Sequence, residues 1–462
     1  MGEGKEKSGK KKLSRRRFLV CGAVGGMGLG VFPGVCLSGG RQEQVQEEGL
    51  LEQAQENIER CRKGIFRIRL EDREGKPIRR VQVECRQLQH HFLFGCNGFG
   101  IGTIEDPCLE ERYQEQFARL WNLAVLRTYW AYLQPNPETE SWQRLDRPLQ
   151  WCRQQGIQVM GAPLVWDNED PPWLPENYDR IRECSVEHVR RVVSRYRGRI
   201  PYWVVVNEPI DIGRFSTRLG RWAKAIGRIP YAVLHLRAAR EGDPKAVLLI
   251  NDYHTDASYL RLIEEILTLD PSLLDGVGIQ LHMHGGEWPL RTVWEVCERF
   301  SQLGLPIYFT EVTVLSDDRF QRWALVPERW GPTSPSGERI QARYVGRLYQ
   351  LLFGHPAVRG VIWWDFSDAG AWLGAPAGLL RKDMKPKPAY RKLYHLIRRR
   401  WWTKAELITD REGWALWEGF YGKYEVEVRL PDGWRVTRRM EWTPEGAREV
   451  RWRLNWAVRK KH

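Results

Sequence analysis

The sequence has no C-x-x-C pair. Its nine cysteines lie at wide, irregular intervals over 462 residues, so no zinc-binding pattern is present, and the odd count leaves at least one thiol unpaired. No segment recurs with a period of 20–50 residues, which excludes solenoids and propellers. The body also lacks a charge excess. Net charge is +14, but residues 1–17 carry +6 and the last twelve +5, so the 433 residues between carry only +3. Nucleic-acid binding needs a basic face on the folded body, and basic tails do not supply one. With 42% hydrophobic and 28% charged residues the chain is neither disordered nor a polytopic membrane protein. What it has in excess is Trp, 23 of them, with 16 Tyr. These rings suit large cores or surfaces that stack on sugars.

The N-terminus reads as an address. Ser14-Arg15-Arg16-Arg17-Phe18-Leu19 follows a Lys-rich stretch, and Phe18 to Leu37 is uncharged with six Gly. A basic region before an apolar run is the layout of an export signal, and the Arg pair resembles the twin-arginine type. Twenty uncharged residues are also long enough for a membrane anchor. Residues 1–40 are therefore expected to be an export signal, with membrane contact through it if it is uncleaved.

Residues 41–91 read as a helix and a β-hairpin extension. Residues 41–63 are Glu/Gln-rich and helix-prone, while Ile65-Phe-Arg-Ile-Arg-Leu70 and Val81-Gln-Val-Glu-Cys85 alternate as half-buried strands do, around a turn at Gly75-Lys-Pro77. From residue 92, eight short apolar runs alternate with helical stretches: 92–94, 123–126, 159–165, 203–206, 246–250, 277–279, 307–309 and 361–363. Eight strands, each followed by a helix, predict an α/β protein with a (β/α)8 barrel over 92–400. Continuous apolar runs are expected there because parallel strands are buried on both faces. Residues 401–462 change to alternating β texture with a hairpin signal at Asp432-Gly433, a small β-sandwich-like module. Its aromatics, Trp414, Trp417, Phe420, Tyr421 and Tyr424, fit either core packing or sugar binding; a small β module needs an aromatic core, which favours packing.

In such a barrel the chemistry sits at the C-terminal ends of the strands. The fourth run ends in Asn207-Glu208-Pro209 and the seventh in Thr310-Glu311. A carboxylate closing an apolar strand is expensive to place, and two of them, on strands three apart in order, can face each other across the barrel mouth. Such a pair is the machinery of glycoside hydrolysis: one protonates the leaving sugar and the other, ionised, meets the anomeric carbon. Asn207 and Glu208 reach one pocket only if the strand bends or bulges at its end.

The segment Arg195-Tyr-Arg-Gly-Arg-Ile-Pro-Tyr-Trp-Val-Val-Val-Asn-Glu208 resembles the acid/base region of glycoside hydrolase family 10, the endo-β-1,4-xylanase family of retaining barrels. Further segments agree in order: Leu164-Val-Trp166, Asn251-Asp-Tyr253, Gly276-Val-Gly-Ile-Gln280-Leu-His282, then Trp364, Asp368 and Trp372, and Lys385-Pro-Lys-Pro-Ala-Tyr390. The resemblance spans about residues 92–398. It implies Glu208 as acid/base, Glu311 as nucleophile, Asn207 on the sugar 2-hydroxyl and His282 on the nucleophile. It further implies Trp364 and Trp372 as a platform beneath the sugar, and Gln280, Trp166 and Tyr253 as substrate-binding residues. No cofactor or catalytic metal is implied.

The second strand departs from the family. Where the family has a Glu-Asn pair and a Lys that grip the neighbouring sugar, this chain has Val125, Leu126 and Tyr129, and Asp167 stands where the family has His. Arg127, Tyr129 and Asp167 are therefore expected to set specificity. The expected function is a retaining endo-β-1,4-glycanase, foremost a xylanase, with a polysaccharide partner. The alternatives are hydrolysis of another β-glycan, glucan or mannan, and a non-catalytic glycan-binding protein. Against the last, both carboxylates are present.

Overall fold

The computed structural model describes residues 39–318 and 330–455. The leader up to residue 38 and the basic C-terminal tail lie outside them. Among the described residues no helix is long and apolar enough to cross a membrane.

The eight apolar runs become eight parallel strands of one closed barrel: β3 (Leu93–Asn97), β4 (Leu123–Arg127), β5 (Gln158–Ala162), β6 (Tyr202–Asn207), β7 (Val247–Asp252), β8 (Gly276–Met283), β9 (Ile307–Val314) and β10 (Val358–Trp363). Leu93, Leu123, Val125, Met160, Val204, Leu249, Tyr308 and Ile362 fill its interior. Helices such as Pro107–Leu120, Tyr178–Arg195 and Pro335–Gly354 wrap it, and Asp106, Asn177 and Ser334 cap their N-termini by accepting backbone N–H bonds. Gly161 is obligatory, since a Cβ there would run into the Trp203 ring.

Outside the barrel lie β1 (Lys63–Glu71) and β2 (Gln82–His90), and, towards the C-terminus, β11 (Lys404–Ile408), β12 (Trp414–Phe420), β13 (Gly422–Arg429), β14 (Arg435–Trp442) and β15 (Glu449–Arg453). The strands expected before the barrel are present, but the expected hairpin between them does not form. β1 lies between β12 and β15 in a three-stranded sheet, and β2 between β11 and β13 in a four-stranded sheet. Each is instead taken up by the C-terminal strands, over seven paired residues for β1 with β12 and eight for β2 with β13. The two ends of the chain thus build one sandwich. Its core holds Phe66, Trp417, Tyr424 and Trp442, with Phe66 stacked on Trp442 at 4.9 Å. Trp417, Phe420, Tyr421 and Tyr424 are buried and Trp414 is half-buried, so these aromatics serve packing. The hairpin at Asp432-Gly433 joins β13 to β14, with Gly433 at φ 83°.

The helix Gly39–Arg62 leads into the sandwich, and its second half rests on the barrel. Ala54 and Ile58 are fully buried, and Gly354 leaves room for the Ala54 backbone. Arg62 donates at 2.7 Å to the carbonyls of Phe353, His355 and Val358, where the Pro335–Gly354 helix ends. This satisfies carbonyls that a helix terminus leaves unpaired. The seven described cysteines are free thiols.

Candidate active site

Glu208 follows β6 directly and adopts a left-handed backbone, φ 53° and ψ 50°. For a residue with a Cβ this costs roughly 1–2 kcal/mol. The register of β6 against β7 also shifts between Val204 and Val206. These irregularities bring Asn207 and Glu208, neighbours that regular pleating would send to opposite faces, to the same partner. Gln280 Nε2 donates to Glu208 Oε1 at 3.2 Å and lies 3.4 Å from Asn207 Oδ1. Pro209 then opens a short 3-10 turn, Pro209–Asp211. Glu311 sits within β9 opposite Gln280, just past a register shift between β8 and β9.

The two carboxyls belong to one hydrogen-bond chain. Asn251 Nδ2 donates to Glu311 Oε1 at 2.8 Å and to Asn207 Oδ1 at 2.7 Å, and Gln280 links Asn207 to Glu208. On the far oxygen of Glu311, His282 Nε2 stands at 3.0 Å, while its Nδ1 lies 2.9 Å from Thr313 Oγ1. Burial pushes the His282 imidazolium down to about 3, so the ring is neutral. A neutral ring has one N–H; the Thr313 hydroxyl beside Nδ1 can donate or accept, and an ionised Glu311, which only accepts, takes that hydrogen from Nε2.

Burial pushes the Glu311 carboxyl up to about 8, against the pull of the Asn251 N–H. Glu208 is also raised, by burial first and by the charge of Glu311. Arg214, Gln280 and Trp166 pull it down. Its Oε2 accepts from Arg214 Nη2 at 2.6 Å and Trp166 Nε1 at 3.2 Å.

The rings expected to contact sugar border this pair. Trp364 meets His282 edge-on at 5.9 Å, and Trp372, 46% exposed, lies 4.8 Å from the same ring. Tyr129 lies 6.1 Å from Trp166. Arg127, exposed at the end of β4, places its guanidinium over Phe99, Tyr129 and Tyr132, at 4.6, 5.6 and 5.1 Å. Tyr253 reaches the site through Arg214, whose Nη1 donates to its hydroxyl at 2.9 Å.

Asp167 is occupied otherwise. It is buried, its Oδ2 accepts the Gly213 N–H at 2.7 Å, and burial pushes it up to about 6. It anchors the loop that follows Glu208. Val125 packs into the barrel interior and Leu126 into the layer between strands and helices, so neither position presents a polar group. Two contributors were not singled out from the sequence. Asn251 ends a strand as Asn207 does, which is a readable signal. Arg214 lies in a loop with no motif, and nothing in the sequence aims it at Glu208.

Comparison with known proteins agrees with this geometry. The chain is 27% identical over 392 residues to anti-sigma-I factor RsgI6 of Acetivibrio thermocellus, covering 82% of this chain but only 47% of that protein. It is 26% identical over 337 residues to endo-1,4-beta-xylanase B of Thermotoga neapolitana, covering 69% of this chain and 91% of that one. Among solved structures, xylanase 10B from Thermotoga petrophila in complex with xylobiose superimposes with a TM-score of 0.56 at 24% identity, over 67% of this chain and 95% of that one, a likeness of fold. The model of glycosyl hydrolase family 10 matches residues 94–396, the whole barrel with both carboxylates, and the chain belongs to that family.

Proposed function

We propose that this protein is a retaining endo-β-1,4-xylanase in which Glu311 is the nucleophile and Glu208 the acid/base. The observation that carries the reading is the pair of carboxyls, Glu208 directly after the fourth barrel strand and Glu311 within the seventh, joined through Asn207, Asn251 and Gln280. In the first step Glu311 bonds to the anomeric carbon, the glycosidic C–O bond breaks, and the departing oxygen takes the proton of Glu208. In the second, water gives its proton to Glu208, attacks the anomeric carbon and releases Glu311. Asn207 uses its carbonyl oxygen within the protein, which leaves its NH2 for the sugar 2-hydroxyl. Trp364 and Trp372 supply the apolar floor. Substrate preference rests on the family and on relatives named as xylanases.

A second reading, the same chemistry on a glucan or mannan, is favoured by the apolar Val125 and Leu126. One experiment separates the two: reducing-end release from purified xylan, mixed-linkage glucan and mannan, with the anomer of the first product followed by NMR. Xylan cleaved fastest with the β-anomer appearing first is expected. Faster release from either other glycan replaces the substrate, and an initial α-anomer removes the nucleophile assignment.

We also propose export through the twin-arginine-like leader. A full-length chain recovered in the cytoplasm after both Arg15 and Arg16 are replaced by Lys, but outside it otherwise, is the expected result.

A further inference from the structure

Glu208 is held by three donors. Two are built into the barrel: Gln280 lies on β8, and Trp166 follows β5. The third, Arg214, is among the described residues the one full positive charge in direct contact with this carboxyl, at 2.6 Å, and it comes from the loop after the 3-10 turn. An acid that must carry a proton in one step and lose it in the next is therefore pinned by a group that favours only its ionised form.

Arg214 has a second carboxylate within reach. Its Nη1 lies 3.6 Å from Asp211 Oδ2, and its guanidinium packs over Phe215 at 4.5 Å and Tyr253 at 5.7 Å. Asp211 is itself prepared for a cation. Tyr253 donates its hydroxyl to Oδ2, and His254 Nε2 stands 3.3 Å from the same oxygen. Burial tends to raise Asp211, and Tyr253, His254 and Arg214 more than offset it, so it stays ionised below the usual range. Arg214 thus stands between two carboxylates, close to one and slightly long to the other, on a side chain 39% exposed.

We propose that Arg214 is a positioning residue that governs the proton of Glu208, pairing with the carboxylate when Glu208 is ionised and passing to Asp211 when Glu208 is protonated. This rests on the acid/base reading of Glu208 given above. When the leaving oxygen takes its proton, the guanidinium returns and stabilises the new carboxylate. When water is deprotonated, it moves back to Asp211.

The other charged or titratable groups around Glu208 are Glu311, Asp252, Asp167, His282, Tyr129 and Tyr253. None of them moves between two partners in this way: Asp252 and Asp167 are fixed on the backbone N–H groups of Ile210 and Gly213. The sign of the effect is then set. With Glu311 ionised and Glu208 protonated in the active form, one limb of kcat/KM reports Glu208, and it is the limb that Glu208→Gln abolishes. Loss of the positive charge raises that limb, and loss of Asp211, which leaves Arg214 on Glu208 alone, lowers it.

The test measures kcat/KM against pH for the wild-type chain, Arg214→Gln, Arg214→Lys, Asp211→Asn and Glu208→Gln. The substrates are aryl β-xylobiosides with a poor and with a good leaving group. The Glu208 limb, read with the poor leaving group, is expected to rise by about one pH unit in Arg214→Gln and to fall by about half a unit in Asp211→Asn. Arg214→Lys should lie between wild type and Gln, and the other limb should stay in place. A limb unmoved in both variants, or both limbs moving together as a general surface-charge effect would do, overturns the proposal. Uniform loss at every pH with a lowered Tm likewise assigns Arg214 to packing and overturns it. The Glu208→Gln arm is separate: if both limbs survive there, Glu208 is not the acid, and the underlying reading falls with it.

Discussion

The nucleophile candidate is costly to the fold that holds it. A free Glu titrates near 4.5, whereas burial holds Glu311 up to about 8. Between those values the folded chain keeps a proton that the unfolded chain has already released. A group of this kind contributes stability that is complete below pH 4.5 and is lost as pH rises towards 8. Every tenfold difference in proton affinity between the two states is worth about 1.4 kcal/mol. Glu311→Gln keeps the Asn251 contact and has no proton to lose. We expect this variant to be inactive, to unfold at a temperature close to wild type at pH 4.5, and to become more stable than wild type by a few kcal/mol as pH approaches 9. Calorimetric scans of both chains across that range test it. Parallel curves would mean that Asn251 and His282 already hold Glu311 ionised at neutral pH.

Elements, more than single side chains, decide which residues arrive at the site, and here the sequence was unevenly informative. The eight barrel strands were legible because a strand buried on both faces must be a short apolar run, and the residue after each run is then a rim residue by construction. Glu208 and Glu311 followed from that. Partnership among the outer strands was not legible. Alternation in 65–70 and 81–85 tells which side chains face inward but not which strand lies alongside, and a short turn between two such segments suggested a hairpin that the C-terminal strands displace. Asp167 shows a related limit: its position in a motif gave its strand end, while the partner of its Oδ2, the Gly213 N–H, lies in a loop of no pattern.

The same scale holds a second buried pair. Lys387 is fully buried, and its Nζ reaches Asp368 Oδ2 at 2.7 Å, Asp368 Oδ1 at 2.8 Å and Ser316 Oγ at 2.9 Å, so all three of its donors are used. It ties the loop after β9 to the loop after β10 that carries Trp372. Removing one member leaves the other charged and buried, at a cost of about 3–5 kcal/mol. Lys387→Met should lose stability on that scale and raise KM more than it lowers kcat. The double variant Lys387→Met with Asp368→Asn should recover much of the loss. Additive losses in that double-mutant cycle would show that the two side chains do not act as a pair.

At the scale of the whole molecule, the chain closes on itself. β1 pairs with β12 and β15, and β2 with β11 and β13; apart from a bridge between Glu71 and Pro77, the partners of both strands come from beyond residue 403. The sandwich is also fastened to the barrel. Asn122 donates to the carbonyls of His90 and Phe92, His90 packs against Phe94 at 5.3 Å, and Phe420 belongs to the barrel core. The C-terminal strands are therefore not a module that can be cut away. Ending the chain at Arg400 would strip both neighbours from β1 and from β2 and expose Phe66, Ile68, Val83 and Cys85, all buried in the intact protein. Two bare strand edges beside an open apolar face are a template for aggregation. We expect the chain ending at Arg400 to be insoluble or to unfold at least about 10 °C below the intact protein, and the intact protein to unfold in one cooperative transition. Because β1 and β2 retain their sequence and only lack partners, supplying residues 401–462 as a separate chain during refolding should recover soluble enzyme. A truncated chain with unchanged Tm and full activity on xylan would show instead that the barrel stands alone and that the sandwich is an appendage.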